Sequence, residues 1–222
     1  AGDGYDLVEA DTEHLTGETD TTATANPKAY TGFTFDGTVE GTVASGNIAG
    51  DGSLVLKLYY TRNSYDVTYA YTGTVPTGAS ALPEKATVKY GAPVTVAEAA
   101  TAPGYTFSGW SREDGFTMPA ENVTITGSFT ANSNTEYTVR HHFQNILDDA
   151  YDADTAMLSE TLSGTTDTLT AAAAAKTVAG FTAQSFQQKN IAGDGSTVVD
   201  IYYNRNSYGV SYRYLNTPAG AC

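Results

Sequence analysis

The sequence contains a long internal duplication, which constrains the architecture more than any other feature. The block at residues 47–53 recurs without change at 190–196, and the match continues to Tyr71 and Tyr214 at a constant offset of 143 residues (190 − 47). Two shorter upstream matches pair residues 15–17 with 162–164 and residues 28–33 with 176–181. A match of this length indicates duplication, so we expect repeated units rather than one continuous globule.

The stretch between the two copies differs from both and divides the chain into alternating modules. We predict a first A module at residues 1–64, a B module at 65–136, a second A module at 137–207, and the first strand of a following B unit at 208–222. Residues 137–145 have no counterpart in the first A module, which is therefore expected to lack its opening strand. Two interpretations stay open. The ends are the boundaries of a fragment, or the surplus C-terminal strand completes the first A module of a neighbouring chain by strand addition.

Turn and strand signals dominate the repeated block. Asp51-Gly52 and Asp194-Gly195 are dipeptides typical of tight hairpin turns, and their aspartates are expected to act in those turns rather than to bind calcium. Apolar, β-branched or alternating composition predicts four strands, at 54–60, 197–203, 65–71 and 137–143. We therefore expect each Asp-Gly turn to connect two strands of a hairpin.

The predicted fold class is mainly β, with small β-grasp-like modules in an elongated tandem array. Residues 170–176 and 96–100 are the only helix candidates, and one short helix in each module would make the modules α+β. Both segments are shorter than the roughly 12 residues at which an isolated helix becomes marginally stable. Modules of this size are near the lower limit for independent folding, so contact with the next module is expected to help.

The composition excludes several classes of function. The chain has 222 residues, with 25 acidic and 11 basic side chains and a net charge of −14. Such a charge repels phosphate, so nucleic acid and anionic membrane surfaces are not expected partners. No apolar run reaches the roughly 20 residues of a membrane-spanning helix, and the single cysteine, Cys222, excludes an internal disulfide framework. No signal peptide is recognisable, so we expect a fragment or a mature product.

Parts of both module types resemble known repeats of surface proteins. Residues 104–110 and 117–131 of the B module resemble the Listeria–Bacteroides type repeat, which is related to internalin B-repeats. The A module is similar to mucin-binding-protein (MucBP-like) repeats in four segments, at 137–145, 162–164, 180–181 and 193–206. These resemblances imply small β-grasp-like modules in the ectodomain of a large bacterial cell-surface protein.

Two clusters are candidates for metal or acid–base chemistry. His141 and His142 are adjacent, and neighbouring residues of a strand point to opposite faces, so they are poorly placed to bind one ion. An acidic cluster follows at Asp148, Asp149, Asp152 and Asp154. Its spacing is not that of a calcium loop, which favours a solvated loop. We therefore predict structural histidines, no metal site and no cofactor.

The sequence contains no recognisable catalytic constellation. It has no Gly-x-Ser-x-Gly elbow, no glycine-rich phosphate loop and no cysteine other than the one at position 222. Nothing distinguishes an acid–base pair of carboxylates from ordinary surface acid. Because the repeated block consists of turn and strand, a catalytic site would have to be duplicated with it or shared between copies. We therefore predict that the protein is not an enzyme.

Covalent modification has a few candidates. Isopeptide crosslinks from Lys to Asn or Asp occur in surface proteins of the resembled kind, and Lys28, Lys176, Asn47 and Asn190 recur in the two A modules. A crosslink would need a buried lysine beside its partner and an acid. Asn122 begins a glycan-acceptor pattern, which has meaning only in hosts that use it.

Aromatic side chains are expected to fill the cores. In Tyr59-Tyr60 and in Tyr202-Tyr203, one ring should face inward and the other outward, because the pairs lie in strands. The outward rings would pack against the next module or stack on sugar rings. Trp110 is expected to anchor the core of the B module rather than to form a sugar platform.

Three functions agree with these patterns. The leading one is a non-enzymatic structural and adhesive segment, a stalk or fibre, located outside the cell on the bacterial surface or cell wall. The alternatives are a mucin- or glycan-binding module and a self-assembling extracellular fibre subunit joined by strand complementation. Expected partners are host glycoprotein or mucin glycans, or neighbouring modules and chains, with no nucleic acid and no direct membrane insertion of this segment.

Overall fold

Strands make up nearly all of the regular structure. The computed structural model describes residues 4–7, 9–151 and 158–214. The strands are β1 (Thr22–Thr24), β2 (Phe33–Phe35), β3 (Ser45–Asn47), β4 (Tyr60–Arg62), β5 (Ser64–Tyr71), β6 (Ala86–Lys89), β7 (Tyr105–Phe107), β8 (Val123–Gly127), β9 (Phe129–Ala131), β10 (Thr135–Phe143), β11 (Leu158–Gly164), β12 (Phe181–Ala183) and β13 (Val198–Arg205). Among the described residues, one 3₁₀ turn at Glu9–Asp11 is the only helical element. The predicted mainly β fold class is therefore confirmed. Thr-, Val- and Tyr-rich segments form strands because their side chains suit a pleated, half-buried surface.

The chain divides into two compact units, each interrupted in sequence. Unit 1 comprises Ala1–Thr72, Ala81–Ala99 and Gly109–Gly127, and unit 2 comprises Gly73–Ser80, Ala100–Ser108 and Ser128–Cys222. Unit 1 contains the sheets β1-β3, β2-β4 and β6-β5-β8, whereas unit 2 contains β7-β9 and β11-β10-β13-β12. The module boundaries after residues 64, 136 and 207 stay a prediction.

The four-stranded sheet of unit 2 has a parallel pair at its centre. Strands β10 and β13 run parallel, with Val139 beside Val199 and His141 beside Ile201. Strands β11 and β12 pair antiparallel with them at the two edges. In chain order the strands therefore lie 2-1-4-3. A parallel pair requires a crossover, which here is the segment between β11 and β13.

A hydrophobic cluster forms the core of unit 2. Its buried members come from β10, β13 and the crossover, namely Tyr137, Val139, Ala173, Ile191, Val199, Ile201 and Tyr203. Along both strands they alternate with the period of two that places successive side chains on opposite faces. Tyr203 is fully buried, whereas Tyr202 keeps 39% of its surface exposed. The prediction of one inward and one outward ring is confirmed for this pair.

The three-stranded sheet of unit 1 has the same central arrangement. Strand β5 pairs parallel with β8 and antiparallel with β6. The buried cluster consists of Val67, Val94, Met118, Val123 and Ile125. Trp110 packs against this cluster, and its ring stacks on Tyr71 and meets Tyr69 edge-on. Its indole N–H donates to Glu98 O at 2.9 Å. Trp110 therefore packs on the core as predicted, with its polar group paired.

Neither predicted short helix forms. Residues 170–176 and 96–100 contain no helical segment. In the first of these, Ala173 enters the core, and the Lys176 N–H donates to the Tyr203 hydroxyl at 2.7 Å. These contacts with the sheet replace the hydrogen bonds that a helix would make within itself. A segment this short cannot offset the cost of nucleating a helix.

The two Asp-Gly turns form as predicted, but the strands of the predicted hairpins do not pair with each other across these turns. Gly52 and Gly195 adopt the positive φ values of 71° and 77° that the Asp-Gly turns need. In the first copy, a single bridge between Val43 and Lys57 joins the two flanks of the turn. In the second copy, the strand after the turn, β13, pairs with β10 and β12 instead.

The predicted strand at 54–60 is largely absent, although its repeat forms β13. Only Tyr60 belongs to a strand, β4, whereas the second copy is a strand throughout Val198–Arg205. The difference follows from the partner, because no strand of the described first A module corresponds to β10. Tyr59 and Tyr60 are accordingly both half-buried, so the inward–outward prediction is wrong for this pair. Among residues 4–7 and 9–63, no hydrophobic side chain is fully buried.

Candidate functional site

Unit 2 contains a close contact between the B module and the second A module. We call residues 103–105, which include the start of β7, the B corner. It packs on a surface that we call the A corner, made of Thr166, Asp167, Ala192 and Gly193. The two halves of the A corner are joined by a hydrogen bond from Asp167 N–H to Ile191 O at 2.9 Å. The A corner is therefore a folded surface in its own right.

The two backbones meet at glycine residues. A Cβ at Gly193 would overlap the carbonyl group of Pro103. A Cβ at Gly104 would overlap the backbone of Gly193 and lie 2.7 Å from Thr166 Oγ1. Gly104 also has a φ of +74°, which residues with a side chain rarely adopt. The contact therefore requires glycine on both sides.

Three hydrogen bonds join the A corner to the B module, two of them to the B corner and one to Asn132. Thr166 donates its N–H to Asn132 O at 3.0 Å and its hydroxyl to Gly104 O at 2.8 Å. The Tyr105 hydroxyl donates to Asp167 Oδ2 at 2.5 Å, and this hydrogen bond raises the pKa of Tyr105 above its ordinary value. Thr166 is only 2% exposed. Its bonds are shielded from water, which strengthens them.

Unit 1 contains a second contact of this kind, between the first A module and the B module. Gly32 is buried, and a Cβ there would overlap the ring of Tyr90. Asn63 N–H donates to Gly32 O, and Tyr90 N–H donates to Asn63 O, both at 2.8 Å. Arg62 lies over the Phe33 ring at 4.8 Å and donates to Tyr90 O at 3.1 Å. Both junctions combine backbone hydrogen bonds with side-chain contacts, an arrangement that can hold modules together.

A polar network lies at the core side of the four-stranded sheet. Fully buried His141 contacts Glu160 Oε1 through Nε2 at 2.7 Å and the Tyr203 hydroxyl through Nδ1 at 2.8 Å. An ionised carboxylate can only accept, so the Nε2–H of His141 donates to Glu160. The Lys176 ammonium donates to Glu160 at 2.7 Å, and Lys176 and His141 together hold the pKa of Glu160 below its ordinary value. Both ring nitrogens of His141 are therefore occupied by protein partners.

His142 makes its contacts on the opposite face of the sheet. Its Nε2 lies 2.8 Å from Asp200 Oδ1, which also accepts from Arg140 Nε at 2.8 Å. Burial raises the pKa of Asp200, but the hydrogen bonds from His142 and Arg140 outweigh it and leave the pKa below its ordinary value. Tyr202 stacks on the His142 ring at 4.7 Å. The two histidines are thus separated by the sheet, as the strand alternation predicts.

The acidic cluster makes local hydrogen bonds where the structure describes it. Asp148 and Asp149 accept from neighbouring groups of the same loop at 2.8–3.0 Å. Asp152 and Asp154 lie outside the described residues. Within the part of the chain that is described, no three His, Cys, Asp or Glu side chains are grouped so that they could hold a metal ion.

The turn aspartates and Asn122 bind nearby backbone. Asp51 and Asp194 each accept from the N–H of the serine two residues later at 3.0 Å. Hydrogen bonds from these serines hold the pKa of both carboxyls below the ordinary value. Asn122 Oδ1 accepts from Asp66 N–H at 2.8 Å. The two aspartates therefore stabilise their own turns, whereas Asn122 connects two segments that are distant in sequence.

The recurring lysines pair with glutamates rather than with the candidate asparagines. Lys28 Nζ lies 2.6 Å from Glu13, and Lys176 Nζ lies 2.7 Å from Glu160. The two lysine side chains are 44% and 41% exposed. An isopeptide bond needs a buried lysine beside its amide partner, and neither lysine has that setting among the described residues.

The two junctions are not predicted by the sequence patterns. The glycines of the repeated block indicate a turn, whereas Gly193 also serves the contact with the B corner. A usable signal does exist, because the match at residues 15–17 continues to Thr19 and Asp20, which recur as Thr166 and Asp167. The signal is that Thr and Asp recur at these two turn positions, although Thr19 and Asp20 are exposed in the first copy.

Comparisons with known proteins found a family match within the central segment of the chain. Residues 65–133 match the family model of the divergent InlB B-repeat domain, which confirms the internalin B-type resemblance in this segment. No curated protein matches the chain. None of the helices in the described residues has the length and apolar character needed to cross a membrane.

Two solved structures are similar to larger parts of the chain. One contains Streptococcal High Identity Repeats in Tandem (SHIRT) domains 3-4 from a cell surface protein, with 16% identity over 64% of this chain and 98% of that chain, and a TM-score of 0.25. The other is Mub-RV, with 13% identity over 65% of this chain and 99% of that chain, and a TM-score of 0.19. Both TM-scores lie below the range that marks a shared fold.

Proposed function

We propose that the chain is a structural and adhesive repeat segment, without enzyme activity, of a bacterial cell-surface protein. The observation that carries the proposal is the contact between Gly104 and Gly193, which joins one module to the next through backbone. The internal duplication and the match of residues 65–133 to a divergent InlB B-repeat domain support it. In this function, alternating modules form an extracellular stalk or fibre.

The physical properties of the chain suit that task. Modules joined by hydrogen bonds and closely packed glycines have little freedom to rotate about the junction. The net charge of −14 keeps the array soluble and, by self-repulsion, extended. Repetition allows many weak contacts to act together, so the avidity of the array exceeds the affinity of any one module.

Surface location is tested with antibodies raised against this chain. Intact bacteria that produce the protein should be stained as strongly as permeabilised ones, and protease treatment of intact cells should remove the signal. Staining that appears only after permeabilisation would contradict the proposal. The joining of modules is tested separately, with the glycine variants described in the Discussion.

A second candidate function is the binding of mucin or other glycans. It is favoured by a cavity of about 330 Å³ in unit 2, where Tyr105, Asp167 and Asp194 offer an aromatic ring and carboxylates to sugar hydroxyls. A glycan array separates this function from a stalk. Saturable binding to particular sugars that Asp194→Asn weakens would favour the lectin, and silence would favour the stalk.

A third candidate function is self-assembly by strand exchange. It is favoured by alternating exposed side chains in residues 208–214, namely Tyr208, Val210, Tyr212 and Tyr214, which are 73–84% exposed. The acceptor would be the edge of residues 54–59, where the described part of the first A module has no strand equivalent to β10. Light scattering should then show assemblies that Val210→Asp abolishes. A monomer at every concentration would contradict strand exchange.

A further inference from the structure

The A corner occurs twice in the chain. In the first A module, the equivalent positions at offsets of 147 and 143 residues are occupied by the same four residue types, Thr19, Asp20, Ala49 and Gly50. All four are exposed in the first copy. In the second copy, by contrast, Thr166 is 2% exposed and Gly193 is partly buried beneath the B corner.

The two copies of the A corner also share their backbone conformation. Asp20 and Asp167 have φ values of 67° and 61°, and they are the two non-glycine residues with positive φ in the described chain. Asp20 N–H donates to Ile48 O at 3.0 Å, as Asp167 N–H does to Ile191 O at 2.9 Å. The first A corner is therefore folded in the conformation that holds the B corner in the second copy.

The first corner offers the same chemistry to a partner. Thr19 presents a backbone N–H and a hydroxyl, which in Thr166 bind two backbone carbonyls. Asp20 presents a carboxylate, which in Asp167 accepts a tyrosine hydroxyl. A Cβ at Gly50 would meet only Thr19 Cγ2, at 3.7 Å. This leaves room for a backbone to approach Gly50 as closely as the B corner approaches Gly193.

We propose that Thr19, Asp20, Ala49 and Gly50 form a docking surface for the Pro-Gly-Tyr corner of a further B-type module. The B corner at residues 103–105 is already engaged by Gly193, so the occupant is a B-type module other than the one in this chain. This inference rests on the function proposed above, because it gives the exposed copy of the A corner the same role in joining modules. Each A module then receives a B module through one conserved set of contacts.

The test supplies the missing module in the same chain. A copy of residues 64–147 placed before Ala1 positions a second B corner ahead of the first A corner, with the spacing found in the second copy. The Thr19 amide should then donate to the carbonyl equivalent to Asn132 O. Its hydrogen exchange should slow at least about tenfold relative to the unextended chain. The Thr166 amide of the same molecule serves as the positive control.

One substitution separates docking from general stabilisation. In the extended chain, Gly50→Ala should return the exchange of the Thr19 amide to its original rate. The Ile48 amide, which donates to Thr21 O within the first A module, should stay protected and serves as the control. In the unextended chain, Gly50→Ala should leave the melting temperature unchanged, because the added methyl group would make only an ordinary van der Waals contact with Thr19 Cγ2 at 3.7 Å. Thr19 protection that survives Gly50→Ala would overturn the proposal.

The outcome for the unsubstituted extended chain distinguishes this inference from the proposed function. Fast exchange at Thr19 with a protected Thr166 amide would overturn the docking surface and leave the junction at Gly193 intact. Fast exchange at both amides would contradict the junction itself and with it the proposed function. Slow exchange at both, reversed at Thr19 alone by Gly50→Ala, is the expected result.

Discussion

Gly104 and Gly193 face each other so closely in unit 2 that neither position can carry a Cβ atom. The residue equivalent to Gly193 in the first copy is Gly50, where a Cβ would meet only Thr19 Cγ2 at 3.7 Å. Gly50 and Gly193 occupy the same position of the same repeated turn. They therefore form a matched pair, in which one substitution disturbs a module junction and the other does not.

Gly193→Ala should open the junction of unit 2. Forcing a methyl group against the Pro103 carbonyl is expected to cost about 1–3 kcal/mol, as for other overpacked sites. The Thr166 amide, which donates across the junction, should then exchange faster with solvent. Gly50→Ala is the control and should change the stability by no more than about 0.5 kcal/mol. Equal effects of the two substitutions would show that Gly193 serves only the turn.

Gly32→Ala should weaken the junction of unit 1. The new methyl group would overlap the Tyr90 ring, and the Tyr90 amide, which donates to Asn63 O, should lose protection from exchange. Gly180→Ala is the matched control, because Gly180 has a similar φ of +83° with no atom within 4 Å. Both variants bear the backbone strain of a side chain at positive φ. The extra loss for Gly32→Ala, about 1–3 kcal/mol, measures the junction.

Tyr203→Phe should destabilise the core of unit 2 more than Tyr60→Phe destabilises the first copy. The Tyr203 hydroxyl lies between the fully buried His141 Nδ1 and the Lys176 N–H, so its removal takes a hydrogen-bond partner from both groups, one of them buried. That loss is expected to cost about 1–3 kcal/mol. Tyr60 accepts only the Lys28 N–H at 2.9 Å and is half-buried, so we expect about 1 kcal/mol or less. Hydrogen exchange of Val139 and Val199 reports the difference, and similar losses in both copies would contradict it.

Unit 2 should lose stability in acid. Lys176 and His141 hold the pKa of Glu160 below its ordinary value in the folded state. A carboxyl with a depressed folded pKa contributes stability above its unfolded pKa, and that contribution disappears as the pH falls through the folded pKa. The melting temperature should therefore decrease below about pH 4–5, where unfolded glutamate begins to bind protons.

Glu160→Gln tests the origin of that pH dependence. The variant should melt lower than the parent at pH 7 and show a flatter decline in acid, because the amide has no charge to lose. Glu136→Gln is the control, since Glu136 lies exposed on β10. A parent and a Glu160→Gln variant with parallel pH profiles would disprove the role of the Lys176–Glu160–His141 network.

The intact mass should equal the value calculated from the sequence. Lys28 and Lys176 are partly exposed and pair with Glu13 and Glu160, so no amide bond is expected at either lysine. Mass spectrometry of the purified chain checks this. A mass lower by one or two molecules of ammonia would indicate isopeptide bonds and would contradict the pairing described here.

Local patterns were sufficient to predict several elements. Residues 65–71 and 137–143 alternate in polarity, and both lie in strands, β5 and β10. Gly52 and Gly195 adopt positive φ because the Asp-Gly dipeptide favours it wherever the turn occurs. The strand separation of His141 and His142 also follows from alternation alone. In each case the cause lies within a few residues of the chain.

Elements that depend on a distant partner could not be predicted in the same way. Residues 54–60 and 197–203 have similar patterns, but only the second segment forms a full strand, because β10 lies beside it. The alanine-rich segment at 170–176 has high helix propensity, but the core takes up Ala173 and Tyr203 binds the Lys176 N–H. Packing and hydrogen bonds to the sheet outweigh a weak local preference.

By itself, the sequence determined that this protein is a duplicated, mainly β chain with Asp-Gly turns, a strongly negative charge and a B-type repeat between two related segments. That Gly193 contacts the backbone of Pro103 and Gly104, while the identical Gly50 is exposed, is evident only from the folded chain. The physical reason is that turn geometry depends on the residue and its neighbours in sequence. A backbone-to-backbone contact depends instead on which distant segment lies opposite.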